Sequence, residues 1–540
     1  MGLMIRKLMM FDLIRHSSLL TVGITIQAVI FSAIALSAPT RAQIPPIPPT
    51  SPDEPFLTEA EAIQGIPPTA TVIELTLPDL INIVIQGNRD LRNAVLERVA
   101  QRQVLDQEES RFDPQFTPDF SLQVERDLSN TSADFNAAET DNNLAAIGLD
   151  NRTTLNQSLQ VSSTLRTRLG TELRLEIDPI NDAGWMNLTL TQPLLRGAGR
   201  AVNEAPIQQA RIAESNNVLA LRQQVIETIT TSITQYTNLI QSQEAVVIQA
   251  QALARRRQQF EIINALVEAG RQARVDLIDA ERTIAEAELG LQNARNQLSQ
   301  ANTDLLNLIG ADAIRQFVAP EAAIDQLFEV SVRRATEFQL DQLIELAYQI
   351  RPDYQQAKSD IEFEDLGLLL AQDNRRWSLD LQSSARFGNA SPQATASLQL
   401  NRTFGDGSLE TAVERSRTNI LQRRNRLAQL TETIRNEIAD QLGDVNSELA
   451  QVEAAQRATA AAQLQLQITQ EKFRRGRDNI SLFDVTQREE DLVNAQNAEL
   501  QARISFLNSI AGLEQAVGIT LDTWRRSVDL SPILAADEAK

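Results

Sequence analysis

The chain has no cysteine, which excludes disulfides, thiolate nucleophiles, thiolate metal ligands and a lipid carried on an N-terminal cysteine. Its single histidine, His16, sits in a leader-like segment, so the rest of the chain has no imidazole for catalysis or metal binding. Aromatic residues make up only 4% of the 540 residues, few for a string of ordinary globular cores. Positive charge is outweighed to a net −21, against the clustered Lys and Arg of a nucleic-acid surface. Beyond the leader no run of about 18 apolar residues occurs, so no helical membrane span is expected. Proline is missing from two long tracts, between Pro206 and Pro320 and between Pro392 and Pro532. Because proline breaks helix interiors, both tracts are free to be helical.

What is present begins with an export signal. Arg6, Lys7 and Arg15 precede a mostly apolar run from Leu19 to Ala38, followed by Pro-Thr-Arg-Ala-Gln, which suits cleavage after Ala42. An uncleaved anchor is the alternative reading. Residues 43–70 form a proline-rich arm of extended character.

Within the first proline-free tract Leu221, Val225, Ile229, Ile233, Tyr236 and Ile240 recur at steps of three and four. Leu427, Leu430, Ile434, Ile438, Leu442, Val445, Leu449 and Val452 do the same in the second. Each tract therefore opens with a helix able to run to a turn glycine, Gly270 or Gly476, about 65–70 residues or roughly 100 Å. Helices of that length pack as coiled coils.

The halves also repeat each other. LPDLINIVIQGNRDLRNA (77–94) aligns with LDQLIELAYQIRPDYQQA (340–357), EAGRQARVDLIDAE (268–281) with RRGRDNISLFDVTQ (474–487), and 294–310 with 502–518. Internal duplication explains this better than chance. The first repeat is placed at 71–310, with a helix, strands within 115–192, a long helix at 200–268 and a return helix at 275–310. A connector (311–339) leads to the second repeat at 340–518, with a helix, strands within 378–404, a long helix at 408–475 and a return helix at 482–518. A tail (519–540) follows.

Strand-like alternation marks DFSLQVE (119–125), MNLTLTQ (186–192), SLDLQSSARF (378–387) and ATASLQL (394–400). Long polar-rich helices flank each group, leaving no second sheet to cover the greasy faces, and lipid is the available apolar solvent. One chain offers about four such strands, the smallest membrane barrels need eight, and an open edge is not tolerated in lipid. Several chains must therefore pool strands into one barrel. LNQSLQVSSTL (155–165) and TELRLEID (171–178) are extra to the first half. They read as an extracellular elaboration, a hairpin above the membrane, with additional barrel strands as the alternative.

The paired 77–94 and 340–357 segments, LTQPLLRGAG (190–199) at a strand-to-helix junction, and the two glycine-centred turns together resemble the TolC-like outer-membrane efflux proteins over nearly all of residues 70–520. The fold implied is mainly α with membrane β. Long antiparallel helical hairpins form a periplasmic α-barrel continuous with a trimeric 12-stranded outer-membrane β-barrel, with internal duplication. The resemblance implies a homotrimer embedded in outer-membrane lipid and reaching into the periplasm of a Gram-negative-type envelope. It would act as a passive exit duct of a tripartite efflux or type I secretion system, working with a periplasmic adaptor (membrane fusion protein) and an inner-membrane pump. No cofactor, metal, nucleic acid or catalysis is implied. At the junction Gln192 and Pro193 close the strand, Pro193 ending sheet pairing, and Gly197 and Gly199 let the chain swivel into the helix. Carboxylates at the turns, Asp484 first and then Asp276 and Asp279, would ring a gate that attracts cations. Helix-dipole stabilisation is the plainer alternative. Gly270, Arg271, Gly476 and Arg477 would form the adaptor-docking tips, although any tight helix turn also favours glycine. Arg255-Arg256-Arg257 reads as a solvated helix face. The competing class is an extended periplasmic coiled-coil scaffold with no channel.

Overall fold

A computed structural model describes residues 71–126, 153–179, 184–311, 315–388, 391–475 and 480–525. The export signal, the whole proline-rich arm, and Gly476 and Arg477 fall outside the described residues.

The first half begins with β1 (Thr71–Glu74), α1 (Leu77–Gly87) and α2 (Arg89–Glu109). Thr76 caps α1 by accepting from the Asp79 N–H, with Pro78 in the first turn where its missing N–H costs nothing. Asn88 separates α1 from α2 and caps the latter through the Leu91 N–H. Four strands follow: β2 (Gln115–Arg126), β3 (Thr153–Arg166), β4 (Glu172–Asp178) and β5 (Trp185–Pro193). The long helix α3 (Arg200–Glu268) then descends and α4 (Arg274–Ile309) returns. A belt of β6 (Arg315–Val318) and α5 (Ala323–Ala335) leads to the second half. That half repeats the plan with α6 (Leu340–Ile350), α7 (Pro352–Asn374), β7 (Ser378–Gly388), β8 (Gln393–Asn401), α8 (Ser408–Arg474) and α9 (Leu482–Val517), before a short α10 (Thr520–Trp524).

Helices α3 and α8, of 69 and 67 residues, are each about 100 Å long. Neither is markedly one-sided along its whole length, because the face that is covered changes. Near the sheet α2, α3, α7 and α8 lie in a row, each beside the next. Lower down α3 packs on α4 and α9, and α9 on α8. Two apolar clusters lie where these packings meet. One gathers Leu80, Ile81, Val84, Val225, Ile229, Tyr236 and Leu305 around the first half. The other gathers Ala347, Ile434, Ile438, Val445, Phe506 and Leu513 in the second. The parallel β1–β6 pair rests against the first cluster, and Tyr236 donates its hydroxyl to the Leu75 carbonyl at 2.9 Å, which secures the belt to the long helix.

All the strands beyond the belt join one antiparallel sheet in the order β2-β3-β4-β5-β7-β8. The expectation of about four strands per chain is thereby corrected to six in this sheet among the described residues. The reading of 155–178 as a hairpin above the membrane is corrected too, because the β3–β4 turn lies at the same end of the sheet as the start of β2 and the end of β5. The physical reason is register. Thr164 pairs with both Gln115 and Arg174, and Arg174 with Thr189, so the inserted strands are zipped between β2 and β5 along their length.

Candidate functional site

Three places concentrate polar geometry: the sheet itself, the junction where strands become helices, and the far turns of the long hairpins.

In the sheet, partners across an antiparallel ladder share a face. Phe116, Ser163, Leu175, Leu188, Ala385 and Ala394 form one cross-strand row. Thr117, Ser162, Glu176, Asn187, Arg386 and Gln393 form the next, on the opposite face. One face is thus apolar or small across all six strands, and the other polar across all six. On the polar face Glu176 accepts from Asn187 Nδ2 at 3.2 Å, and Arg166 pairs with Glu172 at 3.2 Å. The apolar face leaves Phe116, Phe120, Leu188, Leu190, Phe387, Leu398 and Leu400 uncovered. A single sheet with one uncovered greasy face and one hydrogen-bonding face has the two-faced pattern of a barrel wall between lipid and water.

At the junction, Gln192 and Pro193 end β5, and Gln192 accepts from the Thr171 hydroxyl of the β3–β4 turn. Pro193 ends pairing on one side only. Toward β7 the ladder continues, with the Leu194 N–H to the Leu379 carbonyl at 2.7 Å and the Arg196 N–H to the Trp377 carbonyl at 3.1 Å. Donors alternate in direction along a strand, so the one that Pro193 lacks would face β4. That strand already begins level with Thr191, so nothing is left unpaired.

Gly197 (φ 78°) and Gly199 (φ 101°) both take left-handed backbone, which L side chains resist. The bend they make is fastened by three partners. Asp373 Oδ2, at the buried end of α7, accepts the Gly197 N–H at 2.7 Å. Asn203 Nδ2 donates to the carbonyls of Gly197 and Gly199. The Gly199 N–H bonds the Leu169 carbonyl of the β3–β4 turn. That turn holds Gly170 (φ 94°) so close that an added Cβ would lie 2.4 Å from the Gly197 carbonyl oxygen.

At the first far turn, Gly270 (φ 70°) follows α3. Its N–H reaches the Val267 carbonyl and the Arg271 N–H reaches that of Leu266, the paired bonds that close a helix on a left-handed glycine. Ala273 begins α4 without a side-chain cap, Asp276 is in its first turn, and Asp279 is exposed one turn on. At the second turn Ser481 and Asp484 form a reciprocal capping box. Ser481 Oγ accepts the Asp484 N–H, and Asp484 Oδ2 accepts the Ser481 N–H at 2.8 Å. The Ser481 hydroxyl and backbone N–H hold the Asp484 carboxyl below its ordinary pKa. Beside the two aspartates project Val275 and, 72% exposed, Phe483.

Close above the turns the two halves are joined by charge. Arg256 of α3 meets Glu489 of α9 at 3.2 Å, with side-chain exposures of 14% and 3%. Arg256 also donates to the Thr486 carbonyl, and Gln470 of α8 to Glu489. Burial pushes the Glu489 carboxyl up, against the pull of Arg256 and Arg255, and pushes the Arg255 guanidinium down. The reading of Arg255-Arg256-Arg257 as one solvated face is corrected: only Arg257 is exposed, pairing with Glu288. The signal was available in the spacing, since Arg256 continues the buried stripe of Leu253 and Ile263 at helical steps. Among the described residues no cluster of His, Asp or Glu has the makings of a metal site, and no helix is long and apolar enough to cross a membrane.

Residues 178–311 match the model of the outer membrane efflux protein family. No curated protein matches the chain in sequence. Among solved structures, CusC, described in connection with transmembrane channel formation, superposes with TM-score 0.60 at 17% identity, covering 82% of this chain and 92% of that one. VceC from Vibrio cholerae gives 0.59 at 15%, covering 82% and 96%. The Campylobacter jejuni CmeC outer-membrane channel gives 0.58 at 15%, covering 84% and 90%. Residues 178–311 are therefore similar to the outer membrane efflux proteins, and the chain has the fold of these solved outer-membrane channels.

Proposed function

We propose that this protein is a passive exit duct of a tripartite efflux or type I secretion system, assembled as a homotrimer. Its strands would line a pore through the outer membrane and its long helices a tunnel through the periplasm. The carrying observation is the two-faced sheet, whose strands run straight into a row of helices in matching spatial order. β2 continues from α2, β5 into α3, β7 from α7 and β8 into α8. Such a wall encloses water only when copies close it, since an open strand edge is not tolerated in hydrocarbon. The duct itself does no chemistry; selection and energy belong to the pump.

The far turns are the natural place for control. Asp484, and with it Asp276 and Asp279, would repeat around the axis and draw cations to a constriction, and the exposed tips with Val275, Phe483, Gly270 and Arg271 would receive an adaptor.

Extraction and reconstitution test the proposal. The protein is expected to need detergent, to migrate as a heat-sensitive oligomer, and to open cation-preferring channels in planar bilayers. Release by salt or alkali as a non-conducting particle would establish the scaffold instead. Mild crosslinking in cells, followed by identification of the captured adaptor and pump, tests the finer assignment.

A further inference from the structure

We infer that the closed barrel of this protein has eighteen strands rather than twelve, with the inserted β3–β4 hairpin as part of the membrane wall in every copy. The inference rests on the trimeric duct reading above and goes beyond it by fixing the width of the pore.

Three observations converge. The first is continuity of pairing: β3 and β4 stand between β2 and β5 with unbroken register, and within this six-stranded sheet only β2 and β8 keep an open edge. Removing the hairpin from the wall would break both ladders and leave β2 and β5 to find each other anew. The second is that the inserted strands carry the same two-faced pattern as their neighbours. Leu173, Leu175 and Ile177 stand level with Leu190, Leu188 and Met186, and Arg174 and Glu176 with Thr189 and Asn187. A hairpin projecting into water has no use for a greasy face in register with a lipid-facing strand. The third is anchorage: the β3–β4 turn is fastened to the junction through Leu169, Gly170 and Thr171, and through Arg168 to Glu204 at 3.2 Å. It therefore belongs at the rim where strands meet helices.

Width follows from geometry. Strands about 4.8 Å apart and tilted about 40° close eighteen-fold into a backbone cylinder roughly 36 Å across, and twelve-fold into one roughly 24 Å across. A ring of twelve helices, four from each of three copies, at interaxial spacings of about 8–10 Å is roughly 31–39 Å across. Six strands above four helices thus continue the tunnel at nearly constant girth, where four strands would narrow it. Closure joins the open edge of β2, which runs away from the helices, to the open edge of β8 of the next copy, which runs back toward them, in an antiparallel seam.

The absence of native cysteine makes the test direct. Single nitroxide labels are placed at Leu175→Cys and Glu176→Cys on β4, and at Leu188→Cys and Thr189→Cys on β5 as the internal reference, in the full-length assembly in bilayers. Labels at 175 and 188 are expected to collide several-fold more with lipid-dissolved oxygen than with a water-soluble nickel chelate, and those at 176 and 189 to do the reverse. A cross-section of the assembly by electron cryo-microscopy is expected to count eighteen strands. Alternation on β5 with both β4 labels in water, or a count of twelve, overturns the wide barrel while leaving the membrane duct intact. Loss of alternation on β5 as well overturns the duct reading and this inference together.

Discussion

The two halves of this chain share a plan and differ in how they finish it. Their long helices are nearly equal, at 69 and 67 residues, and their return helices are both of 36. The first half inserts four strands where the second inserts two. It ends its tip on uncapped Ala273 where the second uses a full capping box, and, at the 208-residue offset that relates 294–310 to 502–518 and the starts of the two return helices, it carries the exposed Glu281 where the second buries Glu489. Duplication thus preserved the hairpins, whose apolar stripes must match along their whole length. It left free the ends, where a local change disturbs few neighbours.

The largest effect should come from the buried charge. Glu489→Ala leaves Arg256, and Arg255 near it, in a water-poor helix–helix contact without a counter-charge, which is expected to destabilise the folded chain by about 3–5 kcal/mol. Glu281→Ala, its exposed counterpart, should change stability by less than about 0.5 kcal/mol. Thermal melting of the two variants in detergent checks the contrast, and equal losses would break it.

A second asymmetry concerns pH. Glu514 is buried against Arg334, and burial pushes its carboxyl up to about 7, partly offset by that guanidinium; the first half has Leu306 at the matching place. With the folded pKa above the ordinary 4.5, the folded state binds the proton more tightly. The favourable contribution is therefore full below about pH 4.5 and fades as pH rises toward 7, a span of roughly 3 kcal/mol. Glu514→Gln should flatten stability over that window, and Leu306→Gln should not. Melting temperature against pH reads both.

The junctions give the third contrast. Gly170→Val meets the Gly197 carbonyl with a disallowed φ and should cost about 1–3 kcal/mol. Gly407, on the second side, has φ −70° and open space, so Gly407→Ala should be neutral or gain about 0.5 kcal/mol. Thermal melting of each variant in detergent measures the difference.

Smallest is the tip. Ser481→Ala removes the cap and should weaken the start of α9 by about 1 kcal/mol, and Ala273→Ser should strengthen α4 by a similar amount. Hydrogen exchange at residues 482–486 and 274–278 would show the two tips converging.

Much of this molecule is written in local patterns. The long helices follow from proline exclusion and a period near 3.6, and the duplication from similar segments recurring in the same order, so both were legible. Alternation marked β3 and β4 as strands but is silent on which neighbours a strand pairs with, and so their place in the wall had to come from the structure. The Ser481-Leu-Phe-Asp484 spacing announced a capping box that attention to the acidic residue alone passes over. Arg256 was hidden by its own charge and by two arginine neighbours, although its stripe position pointed inward. Asp373 and Gly197, 176 residues apart, left no trace in spacing, because only the packing of one repeat on the other brings them together.

That last contact carries a mechanical corollary. With the carboxylate of α7 gripping the backbone bend of the opposite repeat, the upper collar behaves as a riveted joint. Relative swing of the two hairpins is pinned there and widens with distance from it. In the proposed duct any dilation would fall below this joint and would have to strain the buried Arg256–Glu489 link between the halves near the far mouth.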